Sequence, residues 1–107
     1  MGTLIYGKSQ RYEFEDRTLE HVRVVIAAKL RRKESFFLTW TPDGAGRLGA
    51  VSLWISPEMP IAFQFSGTVQ GPLSREWIAA LTRLSYSDRG LVVVPERAVR
   101  GPRKESG

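Results

Sequence analysis

The chain has 107 residues, a mass of 12.1 kDa and a formal net charge of +5, which suffices for one modest hydrophobic core and no second domain. With no cysteine and one histidine, it excludes disulfides, thiolate metal sites, cysteine nucleophiles and multi-histidine zinc sites. The longest apolar run, Val24 to Ala28, is far shorter than the ~20 residues that span a bilayer, and no basic-then-apolar leader opens the sequence, so a cytoplasmic protein with no membrane partner is expected.

The first element is a predicted hairpin. Leu4-Ile5-Tyr6 is β-prone, Gly7 to Gln10 is turn-like, and Tyr12 to Glu15 alternates aromatic and acidic side chains. Asp16 is placed as an N-cap, where its carboxylate would meet the positive end of a helix dipole. Leu19, Val22, Ile26 and Leu30, widened by Val25, form the apolar stripe of that first helix, with Glu20, Arg23 and Arg31 on its wet side. His21 is expected at its surface or boundary. Lys29, Arg31, Arg32 and Lys33 close the helix, at the end where cations complement the dipole.

An antiparallel meander is predicted next, over Ser35–Thr41, Val51–Ile55 and the alternating run from Ile61, with turns at 42–46 and 57–60. Period two groups Phe36, Leu38, Trp40, Val51, Leu53, Ile55, Ile61, Phe63 and Phe65 on one face of the sheet, and two faces compete for the helices. If that group faces the helices, Phe37, Thr39, Trp54 and Gln64 face away. The second helix has Ser74 as N-cap, Leu73 and Ile78 at staple positions, and Trp77, Ile78, Leu81 and Leu84 on its apolar face. Gly90 is its expected C-cap. Leu91 to Val94 reads as a buried strand stopped by Pro95, able to pair parallel with a neighbour. Residues 96–107 read as a disordered basic tail behind a single domain at 1–95. The fold class is α+β: a mostly antiparallel sheet of about six strands with two helices on one face, in the order ββαβββαβ.

Three features have functional content. Residues 44–51 match G-x-G-x-x-G-x-V, the phosphate-covering loop of protein kinases, but no strand lysine, H-R-D or D-F-G accompanies it. It is read as a glycine-rich hairpin loop, with Arg47 as a candidate phosphate contact. Lys29, Arg31, Arg32 and Lys33 would grip a nucleic-acid backbone weakly and electrostatically, or only complement the helix end. Phe37 and Trp54, if exposed, would stack bases or form a homodimer face, or the N-terminal hairpin with Tyr6 and Tyr12 would cover them. Glu13 and Glu15 share a strand face and could bind a cation, but strand edges commonly carry such charges to deter aggregation. No nucleophile, base and orienter form a set, so no catalytic residue, metal or cofactor is predicted.

The string from Ala27 to Phe37 resembles a segment of a family of roughly 100-residue actinobacterial proteins of unknown function. Ser52 to Pro57, Phe63 to Gly67, Trp77-Ile78 and Gly90 to Glu96 are similar too, so the likeness spans about residues 1–96. Those proteins often carry the automated label "ATP-dependent DNA ligase". Such ligases use the lysine of K-x-D-G as nucleophile, and none of Lys8, Lys29, Lys33 or Lys104 has an aspartate two residues on. The expected function is that of a small, non-catalytic accessory nucleic-acid-binding module. The alternative is a homodimeric protein-interaction domain with no nucleic-acid role.

Overall fold

The computed structural model describes residues 1–42, 49–67 and 71–100. The elements run β1 (Gly2–Tyr6), β2 (Gln10–Phe14), α1 (Asp16–Arg31), β3 (Phe36–Trp40), β4 (Val51–Ile55), β5 (Ile61–Gln64), α2 (Arg75–Leu84), β6 (Leu91–Val92) and α3 (Glu96–Arg100). The fold is α+β, but the expected single sheet is two three-stranded sheets, ordered β2-β1-β5 and β4-β3-β6. β5 does not continue the meander. It pairs antiparallel with β1, Leu4 opposite Phe63 and Tyr6 opposite Ile61. The chain turns a corner between β4 and β5, where the Pro60 carbonyl accepts from the Gly7 N–H at 2.9 Å. Turning there lets Ile61 and Phe63 join the core beside the N-terminal hairpin.

The core lies between the helices and the inner faces of both sheets. Leu19, Val22, Val25 and Ile26 of α1 are buried, as are Trp77 and Leu81 of α2 and Leu38, Leu53 and Ile55 of the second sheet. The period-two assignment of β3 and β4 therefore holds. β6 is the parallel strand, with Leu38 opposite Leu91 and Thr39 opposite Val92. Only Leu91 and Val92 of the predicted four-residue run are strand. Gly90, expected as the cap of α2, lies beyond that helix's actual C-cap, Ser85. Gly90 has φ +80°, and a Cβ on it would collide with the Phe37 carbonyl. Its role is close approach of β6 to β3, not helix termination.

Two expectations at helix ends are corrected. Glu15, not Asp16, is the N-cap of α1, and it makes no side-chain cap bond. Asp16 instead accepts from the Ser66 hydroxyl at 2.7 Å and lies 3.8 Å from the Met1 ammonium. Residues 96–100, expected as the start of a disordered tail, form α3. Glu96 receives a bidentate pair from Arg17, with Nε at 2.9 Å and Nη2 at 3.1 Å, and Val99 packs against the core. Composition alone hid this, because one valine among charges gives no periodicity. The rest of that segment, 101–107, lies outside the described residues.

Candidate functional site

The outer face of β4-β3-β6 is built by strand alternation. The bond from the Val93 N–H to the Thr39 carbonyl directs the backbone groups of Thr39 toward β6. Thr39–Ser52 and Phe37–Trp54 are then the non-hydrogen-bonded pairs of the β3–β4 ladder, whose side chains approach most closely. Accordingly the Phe37 and Trp54 rings stand edge to face at 5.1 Å, and the Thr39 and Ser52 hydroxyls bond at 2.9 Å. Phe37 and Trp54 remain 45% and 46% exposed. The N-terminal hairpin does not cover them. Tyr12 packs inward against Trp40, and Tyr6 only donates its hydroxyl to the Trp54 carbonyl at 2.7 Å. Phe37, Thr39, Ser52, Trp54 and Val92 present no charge on this face.

The fold removes Lys29 from the basic cluster. Lys29 is only 3% exposed. Its ammonium pairs with Glu34 at 3.0 Å, donates to Ser85 Oγ at 3.2 Å and lies 4.0 Å above the Tyr86 ring. It is a buried strut between the C-terminal ends of α1 and α2, out of reach of a polyanion. Arg32 donates to Glu34 at 3.1 Å and to the Tyr86 hydroxyl at 2.8 Å. These contacts, Arg32 first, hold the Glu34 carboxyl below its usual range, and Glu34 raises the Arg32 guanidinium in turn. Arg31 and Lys33 are exposed. Arg47 lies outside the described residues.

His21 is fully buried, contrary to the surface or boundary position expected of it. The Ser74 N–H donates to its Nε2 at 2.8 Å, so the ring proton sits on Nδ1, which donates to the Arg17 carbonyl at 2.8 Å. Its ring lies 4.5 Å from that of Trp77. In a capping box the third helical residue satisfies the N-cap N–H. In α2 that position is Trp77, whose own N–H goes to Ser74 Oγ, and His21 supplies the return bond from α1. The histidine is a structural joint, with both ring nitrogens committed.

A cleft of about 500 Å³ opens where β2 meets α1, lined by Glu13, Glu15, Trp40, Val94 and Arg97 among others. Its charges are mixed in sign. Among the described residues no group of three or more His, Cys, Asp or Glu side chains is arranged to hold a metal ion, and no helix is long and apolar enough to cross a membrane.

The fold and its exposed face define a small α+β domain with an uncharged aromatic surface on one of two short sheets. By family, the chain belongs to Domain of unknown function (DUF7882), whose model matches residues 1–96. No curated protein and no solved structure matches it.

Proposed function

We propose that the protein is a non-catalytic interaction module that binds a protein surface through the outer face of β4-β3-β6. The observation that supports this most is the exposed Phe37–Trp54 pair on an uncharged face. Exposed aromatic patches mark interaction sites, and aromatics are enriched in protein interfaces while charge is depleted at their centres. A face that stacks bases is bordered by cations that track the phosphates. The side chains of this face carry no charge themselves, and Arg31, Arg32 and Lys33 lie at the end of α1, where Glu34 offsets part of their charge.

Arg31, Arg32 and Lys33 would together contribute about 2 to 3 to the salt slope of nucleic-acid binding. Elution from immobilised heparin separates the two readings. The protein is expected to elute at low salt, with little change in the combined variant R31Q, R32Q and K33Q, and a single-stranded oligonucleotide is expected to leave Trp54 fluorescence unchanged. Tight oligonucleotide binding that quenches Trp54, or that the combined variant loses, would overturn the protein-partner reading. The ligase label of the resembling proteins is tested separately with α-labelled ATP and Mg²⁺. No labelled protein band is expected, because no lysine stands in a K-x-D-G context.

A further inference from the structure

The exposed aromatic pair lies at one end of its sheet, and that end is basic. β3 leaves the turn after α1, so Phe37 and its partner Trp54 stand near the C-terminal end of that helix. The Lys29 ammonium, 5.2 Å from the Phe36 ring, marks the contact. The turn before β6 comes to the same place. Gly90 lies against the Phe37 carbonyl, and the Arg89 carbonyl accepts from Thr39 Oγ1 at 3.2 Å. Tyr86, whose ring Lys29 underlies, is 62% exposed there.

Residues 29–34 and 85–90, which build this end, hold five cations and two carboxylates, Glu34 and Asp88. Glu34 is taken up by Lys29 and Arg32. Among the described residues Arg31, Lys33 and Arg89 make no ion pair, and all three are exposed. Residues 13–20, at the other end of α1, hold four carboxylates and one cation. Charge is thus segregated along α1, and its positive end is the one beside Phe37 and Trp54.

Building on the protein-partner reading, we propose that this end docks an acidic segment of a partner protein. An apolar side chain of that segment rests on Phe37 and Trp54, and its carboxylates meet Arg31, Lys33 and Arg89. Trp, Tyr and Arg are the residues that most often anchor interfaces. Charge complementarity selects the partner, because a second copy would bring the same unpaired cations together on chains that each carry +5. The extent of the patch favours a protein segment over a nucleic-acid strand. The face continues through Thr39, Ser52 and Val92 without charge, so a backbone with a phosphate at every nucleotide would run past the cations. A short acidic segment needs them at one end only. Heparin has no apolar anchor and engages the cations alone, which accords with elution at low salt.

Two synthetic peptides test the docking by NMR titration and tryptophan emission. One has glutamates around a central leucine–phenylalanine pair, and the other has glutamine in place of every glutamate. The acidic peptide is expected to shift the Phe37, Trp54 and Arg89 signals and to bind at least ~10-fold more tightly than its glutamine counterpart at low salt. Arg31→Glu combined with Arg89→Glu changes two exposed side chains that make no ion pair among the described residues, so the variant is expected to fold and to lose that preference. Trp54→Ala is expected to weaken both peptides. Equal binding of the two peptides, no shift at Phe37 and Trp54, or a preference that survives charge reversal overturns the acidic partner and leaves the protein-partner reading standing. Affinity unchanged in Trp54→Ala does the same. A mass that rises with concentration from 12.1 kDa toward twice that value, with Trp54 shielded, puts a second copy on the face instead. A single-stranded oligonucleotide that displaces the acidic peptide and quenches Trp54 overturns both readings.

Discussion

Lys33 is the single non-glycine among the described residues with a positive φ, +62°. It sits at the position after the C-cap of α1, and its N–H bonds the Leu30 carbonyl while that of Glu34 bonds the Lys29 carbonyl. That is a Schellman closure, in which glycine is the favoured residue because it meets no Cβ penalty. Lys33→Gly should stabilise the protein by about 1 kcal/mol, read as a higher urea midpoint with an unchanged slope. A lower midpoint would show that the lysine side chain contributes more than its backbone costs. Asp16 and Glu34 make a second residue-specific prediction. Ser66 holds the Asp16 carboxyl below its usual 3.8, and Arg32 and then Lys29 hold Glu34 below its usual 4.5. Both are depressed in the folded chain, so the unfolded chain takes up protons first as pH falls. Their contribution is fully present above pH ~5 and is lost progressively below it. Melting temperature should fall across that window, and less steeply in Asp16→Asn, which has no carboxylate to protonate. An equal slope in that variant would remove Asp16 from the account.

Besides the apolar core, polar side chains tie the helices to one another. His21 ties α1 to the N-cap of α2, and Lys29 ties the C-terminal end of α1 to Ser85 just after α2. Arg17 ties the start of α1 to α3 through Glu96, and its Nη1 also donates to the Pro72 carbonyl at 3.2 Å. α3 has five residues and no stability of its own, since isolated helices need about 12–15 residues to persist. It is held by that bidentate pair and by Val99. Ending the chain at Pro95 should therefore cost about 2 kcal/mol, measured by thermal or urea unfolding, and Arg17→Met should reproduce part of the loss. No change on truncation would show α3 to be loosely docked. The sequence carries a signal for Lys29 that a count of cations misses. It lies four residues after Val25 and seven after Val22, on the apolar stripe of α1, so the helical period places it in the core. His21 lies four before Val25 on the same side.

Two sheets and three helices around one core leave the three tryptophans in different surroundings. Trp40 and Trp77 are buried, and Trp54 faces outward. Iodide should quench about a third of the tryptophan emission, and Trp54→Phe should abolish that accessible fraction. Accessible emission that survives the substitution would contradict the burial of Trp40 or Trp77.

What the sequence by itself determined follows from local physics. Period two along β3 and β4 separates Trp40, Leu53 and Ile55 from Phe37 and Trp54, and period 3.6 marks the buried stripe of α1. Ser74 caps α2 through an oxygen three residues from its partner. The α+β class follows from the same patterns, whereas the exposure of Phe37 and Trp54 was decided by the packing of the two sheets. Only the tertiary structure decided what depends on residues distant in the chain. β5 joins β1 across more than 50 residues, which splits the expected single sheet in two. Glu96 gives α3 its anchor through Arg17, 79 residues away. Glu34, Ser85 and Tyr86 gather around Lys29 and turn an apparent phosphate grip into a buried strut. Periodicity reports which side of an element is apolar. Strand partners and charge neutralisation are set by which elements meet, and that meeting is a property of the packed core.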